Sequence, residues 1–182
     1  MAAGATYTPI ASYTVSTAQA SYTFSSIPST YTDLVMVGML RSDTVTYNNM
    51  NFTTVTFNGD TGSNYSVTNL YARNTGASDT ANSGRSSSQA SINFGGVVTT
   101  ASTSGIFSPY VMSAMNYSNA TTYKTALCRI SAQSNLTATD GLAVGVGLWR
   151  STAAISSMTF TCSNSGLYTV GSSFTLYGIA AA

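Results

Sequence analysis

Apolar side chains recur at every second position along this chain, and no window sustains them at the three-to-four-residue spacing of an amphipathic helix. The clearest case is Ser157 to Cys162. Met158, Phe160 and Cys162 point one way, and Ser157, Thr159 and Thr161 the other. Lys124 to Ala132 repeats the pattern: Ala126, Cys128, Ile130 and Ala132 oppose Thr125, Arg129 and Ser131, with Leu127 as an apolar exception. Phe174 to Ile179 forms a last strand. Clusters of Gly, Asn, Asp and Ser bound these runs, as turns between strands require. The chain is therefore expected to be all-β.

Further strands are expected at Tyr13 to Phe24 (in one or two pieces), Asn51 to Phe57, Tyr65 to Tyr71, Ala90 to Phe94 and Ile106 to Tyr117. Two segments, Leu34 to Leu40 and Leu142 to Trp149, are apolar on both faces, which predicts mid-sheet positions. In the second, Leu142, Val144, Val146 and Leu148 share one face. The other holds Ala143, Gly145 and Gly147 before Trp149, and so suits either a bulge or the close approach of another backbone. Eight to ten short strands in one domain predict a two-sheet antiparallel sandwich, and long crossing connections predict a jelly-roll-like one. Asn74 to Ser91 is polar and of low complexity, and is expected to be a mobile loop. Residues 1–20 read as an N-terminal arm with the first strand, and 21–182 as a single β-sandwich domain. A chain of 182 residues buries about 70% of its unfolded surface, enough for a core without disulfide or metal staples.

Charge narrows the function. Only 6% of residues are charged, against about a quarter in an ordinary soluble domain, and the chain has no His and no Glu. Side-chain catalysis and metal capture draw on clusters of such residues, so no enzyme activity, catalytic residue, metal or cofactor is expected. A net charge of +1 supplies no field for nucleic acid or anionic membrane, and neither is expected as a partner. Weak net charge is also a solubility liability, which points either to life in an assembly or to solvation by hydroxyls and amides. Met1 to Ile10 has no basic residue and no apolar run of signal-peptide length, so a soluble product made in the cytoplasm is expected. Cys128 and Cys162 fall on apolar faces and read as buried free thiols.

Asp60 lies in Asp-Thr-Gly-Ser, the string that carries the catalytic carboxylate of aspartic proteases. That chemistry needs a second carboxylate sharing the proton, and the chain has no second copy. Asn58, Gly59, Asp60, Gly62 and Asn64 read instead as a structural turn, in which Asn-Gly adopts positive φ at low cost, or as an incidental cation site. Five Asn-x-Ser/Thr strings, at Asn51, Asn64, Asn116, Asn119 and Asn135, follow from the Asn, Ser and Thr content alone. The twelve tyrosines suit sugar stacking and subunit contacts equally. Trp149, ending an apolar strand, reads as a core anchor.

Several blocks resemble a group of small tailed-bacteriophage virion proteins: Tyr7-Thr8-Pro9-Ile10-Ala11, the run from Tyr22 to Val35, Phe57 to Ser66, Gly147-Leu148-Trp149 with Ala153-Ala154-Ile155, and Phe174 to Ile179. The resemblance implies a jelly-roll-like sandwich on the virion, as a capsid decoration (cement) protein or as a tail or fibre component, with no catalytic residues. On that basis the protein is expected to clamp neighbouring major capsid subunits at the capsid surface. It is also expected to self-associate, as a trimer, with Met1 to Ser12 laid along a neighbour. Tyr7, Pro9, Ile10, Tyr13, Tyr31, Arg73, Arg85 and Tyr110 are the interface candidates. The alternative is a tail or head-fibre component that binds a host receptor or glycan.

Overall fold

A computed structural model describes residues 6–44, 50–74, 78–135 and 140–180. Twelve strands occur among them. The first four are β1 (Tyr7–Thr14), β2 (Ser21–Phe24), β3 (Asp33–Leu40) and β4 (Met50–Phe57). Then come β5 (Tyr65–Asn74), β6 (Asp79–Gln89), β7 (Ile92–Val98) and β8 (Ser108–Met115). The chain ends with β9 (Lys124–Ala132), β10 (Asp140–Trp149), β11 (Met158–Cys162) and β12 (Ser173–Ile179).

Eight of these form nested antiparallel pairs, β1 with β12, β2 with β11, β3 with β8 and β4 with β7. A long ribbon paired in this way and rolled up sends successive pairs to alternate sheets. That is what is seen: β1, β12, β3 and β8 lie side by side in one sheet, and β2, β11, β4 and β7 form the other. This is the jelly-roll order. Two hairpins are inserted in it. The β9–β10 pair follows β8, the β5–β6 pair joins at β10, and the first sheet grows to eight strands, β1-β12-β3-β8-β9-β10-β5-β6. These two hairpins raise the count to twelve rather than eight to ten.

The core lies between the sheets, where alternate residues of each strand meet. Met158, Phe160 and Cys162 of β11 are buried as their alternation predicts, together with Leu34, Met36 and Leu40 of β3 and Ala126, Cys128 and Ile130 of β9. Aromatic rings knit the layers: Tyr110 meets Phe160 edge-on at 6.0 Å and Tyr168 meets Phe174 at 5.1 Å. Each such side chain contributes roughly 1.5–3 kcal/mol by leaving water. Both cysteines are buried and unpaired. Burial pushes the Cys128 thiol up to about 12 and raises that of Cys162, so both stay protonated.

Four expectations change. The segment read as a mobile loop contains β6, paired with β5 from Tyr65↔Gln89 to Asn74↔Asp79; its residues 75–77 lie outside the described residues. All eleven β6 residues are exposed, so neither face needs an apolar row and no alternation marks the strand. Residues Tyr7 to Ser12, expected along a neighbour, pair with β12 of the same chain; residues 1–5 lie outside the described residues. Tyr110, expected at an interface, is fully buried.

The fourth change concerns β10. It lies mid-sheet as expected, but its glycine side faces the core and its Leu/Val side faces out. Side chains of β7 fill the interior where the glycines stand. A Cβ added at Gly147 would fall 2.7 Å from Ile92 Cγ2 and 2.9 Å from Phe94 Cζ. At Gly145 it would meet Asn69 Oδ1 of β5 first, and then Phe94 Cδ1 at 2.9 Å. The bare positions are seats for two large side chains of the opposite sheet, neither a bulge nor a place for another backbone.

Candidate functional site

Turning β10 over leaves an apolar surface in water. Leu142 is 56% exposed and Val146 51%, with Val144 beside them on the outer face of the eight-stranded sheet. Their cross-strand neighbours extend the patch. Val146 stands opposite Leu127 of β9, itself 43% exposed, and Val144 opposite exposed Leu70 of β5. Opposed pairs of this kind put Cβ atoms about 4.5–5.5 Å apart, so the four side chains touch or nearly touch. Val37 and Met39 of β3 continue the exposed apolar row on the far side of β8. Arg129 is the charged residue set among them, opposite both Val144 and Val111. These aliphatics are grouped rather than scattered singly over the surface, and grouping is the feature by which interaction surfaces are recognised.

Of the expected interface residues only Arg85 flanks this patch, beside Thr68, which stands opposite Val146. Tyr7 and Pro9 are exposed on β1, with the Tyr7 ring edge-on to Tyr177 at 6.1 Å. Ile10, Tyr13 and Tyr31 are half-buried and pack on the core. Tyr13 stacks on Tyr22 at 4.3 Å and donates its hydroxyl to Gln19 Oε1 at 2.7 Å. Tyr31 lies where a Cβ on Gly178 would stand. Arg73 and Arg85 belong to β5 and β6 at the opposite edge, six and seven strand spacings from β1, or about 29 and 34 Å along the sheet. They also face opposite ways, since Arg85 stands beside outer-face Thr68 while Arg73 shares the inner face with Tyr71 and Asn69.

The Asp60 segment is a joint. Asn58 (φ 53°) and Gly59 (φ 67°) both occupy the left-handed region that the turn requires. Asn58 Nδ2 donates to the Ala154 carbonyl at 2.7 Å, and its Oδ1 accepts from the Ser156 and Ser157 amides at 2.8 and 3.0 Å. Asp60 accepts from the Trp149 indole at 2.7 Å, from the Gly62 amide at 2.8 Å and from Asn64 Nδ2 at 3.0 Å. These bonds, led by that of Trp149, hold the Asp60 carboxyl below its usual range. Trp149 is buried, with Tyr65 stacked on it at 6.4 Å and Phe57 at 5.7 Å. Two of the blocks that carry the sequence resemblance, 57–66 and 147–155, are thus bonded into one corner.

A cleft of about 490 Å³ opens on the inner face, where the β5–β6 hairpin runs past β7 at the edge of the smaller sheet. Phe52, Asn69, Tyr71, Arg73, Gln89 and Asn93 line it, and among the described residues no acidic side chain does so. Asn69 Nδ2 donates to the Asn93 carbonyl at 3.0 Å while its buried Oδ1 has no partner. Of the interface candidates only Arg73 lies in this cleft. Its signal was in the sequence: 69, 71 and 73 alternate along one strand, so an amide, a ring and a guanidinium share a face.

Among the described residues, no three His, Cys, Asp or Glu side chains group as a metal site would need. No protein family, curated protein or solved structure matches the chain.

Proposed function

We propose that the protein is a structural subunit of a tailed-bacteriophage particle, a capsid decoration (cement) protein that binds neighbouring major capsid subunits and copies of itself. The observation that carries this reading is the open apolar row Leu70, Val144, Val146 and Leu127 on the outer sheet face. In a charge-poor chain such a surface needs a partner, and one with rigid strands beneath it suits docking on a fixed lattice. The jelly-roll order is a fold of viral capsid and lectin domains alike, so it accommodates the reading without deciding it. The blocks from Tyr7 to Ile179 that resemble phage virion proteins add the particle to the argument.

With β1 held in its own sheet, attachment in this reading runs through the outer face rather than through residues 7–12. Contacts made by Leu, Val and Met are weakly screened, so attachment is expected to survive molar salt and to fail in denaturant. The test is copy number. Quantitative mass spectrometry of purified particles should find hundreds of copies, and the protein should stay on heads washed in 1 M NaCl. A few copies per particle, or release by salt alone, would overturn the assignment to the capsid surface.

A further inference from the structure

The inner-face cleft is independent of the outer sheet face, and its chemistry differs. Each of its amides spends one end within the fold and keeps the other. Asn93 Oδ1 accepts from the Gly95 amide at 3.1 Å, which leaves its Nδ2. Gln89 Nε2 donates to the Ser87 carbonyl at 2.8 Å, which leaves its Oε1. Among the described residues the Arg73 guanidinium and the Tyr71 hydroxyl have no hydrogen-bond partner, and both line the same cleft. Two rings, Phe52 and Tyr71, supply flat apolar surface between these polar ends. Tyr71 is 36% exposed, and its ring runs alongside β6 at Gly84, where an added Cβ would stand 3.9 Å from Cε1.

We propose that this cleft binds a saccharide. Its volume falls within the ~300–1,000 Å³ typical of small-molecule sites. A purely apolar ligand would bury the spare amide, hydroxyl and guanidinium groups unpaired, with a desolvation penalty at each. A polyanion would meet a single cation in the lining, too few to hold it. A sugar ring answers both halves of the lining: its C–H face stacks on Tyr71 or Phe52, and its hydroxyls pair with Asn93 Nδ2, Gln89 Oε1 and the forked donors of Arg73. The assignment does not rest on particle assembly and stands if the protein proves to lie elsewhere.

The experiment is a microarray of neutral and carboxylate-bearing oligosaccharides, followed by NMR titration with the strongest binder. The proteins are the wild type, Tyr71→Ala, Arg73→Gln and, outside the cleft, Tyr123→Ala. Saturable binding is expected for the wild type and for Tyr123→Ala. Tyr71→Ala should weaken it about tenfold, the loss that follows from removing a stacking ring, and Arg73→Gln should weaken it severalfold, with all three variants keeping the wild-type thermal midpoint. Absence of saturable binding across both panels, or binding unchanged in Tyr71→Ala, would overturn the proposal.

Discussion

Replacing Val146 by Lys tests whether the outer sheet face is the attachment surface. Val146 is about half exposed and faces Leu127 across β9–β10. Full burial of a Val or Leu is worth about 1.5–3 kcal/mol, so a partner that covers the exposed half gains ~1 kcal/mol from each residue. Across Leu70, Leu127, Leu142, Val144 and Val146 the gain is about 5 kcal/mol before the entropic cost of association. Lys at position 146 removes one share and forces an ammonium either to snorkel to the rim or to lose water, which costs several kcal/mol more. Attachment to the partner lattice, or self-association, should weaken at least about 100-fold, equivalent to roughly 2.7 kcal/mol. The isolated fold should shift by less than about 1 kcal/mol, because half of the side chain already sits in water and the lysine stem can cover what Val146 covers. Co-sedimentation with capsids and light scattering read the first quantity, and urea unfolding reads the second. Tyr7→Ser, at the far edge, serves as the comparison and should leave attachment nearly unchanged. If Val146→Lys keeps both its midpoint and its attachment, the apolar face is idle and the reasoning fails.

Three further outcomes follow from the packing. Gly147→Ala should cost about 1–3 kcal/mol, since Ile92 and Phe94 must move to admit the methyl, and thermal unfolding should show a loss of several degrees; Gly84→Ala, which meets nothing closer than 3.9 Å, should be neutral or better. Asp60 has a folded-state pKa below its unfolded value of about 3.9, so its contribution is present above that pH and is lost as pH falls through the folded value. Acid titration followed by fluorescence of the single tryptophan should therefore move in wild type below about pH 4 and flatten in Asp60→Asn. Cys128 and Cys162 should resist iodoacetamide at pH 8 while folded and react fully in denaturant, counted by intact mass.

The strands with one covered face were legible because burial on one side imposes a period of two, as in β9 and β11. Where both faces are wet the constraint vanishes. That is why β6, with residues such as Ser83, Gly84 and Ser86, reads as loop although β5 pairs along its whole length. A different loss of information occurs in β10. Alternation says that two faces differ, and the apolar face is then assigned inward by default. The assignment is reversed here because the interior volume opposite Gly145 and Gly147 is filled by Phe94 and Ile92, some fifty residues away in the chain. No local pattern carries that complementarity of small against large.

The same two observations locate where function can reside in this molecule. The eight ribbon strands, β1 to β4, β7, β8, β11 and β12, make up the jelly-roll order by themselves. The inserted hairpins β5–β6 and β9–β10 stand outside that order; they add Tyr65, Ala126, Cys128, Ile130 and Trp149 to the core, and they also carry Leu70, Leu127, Leu142, Val144 and Val146 on the outer side and Asn69, Tyr71, Arg73 and Gln89 on the inner. An insertion that merely extended a sheet would be expected to present polar residues outward and to end in a protected edge. This one exposes aliphatic side chains on its outer face and builds a concave polar wall on its inner face. The cost of keeping those aliphatics in water falls on a chain with little charge to keep it soluble, which is the ground for proposing that the outer face is covered. If the outer face is covered as proposed, the inner wall lies on the side of the sheet turned away from that partner, where a soluble ligand can still reach it.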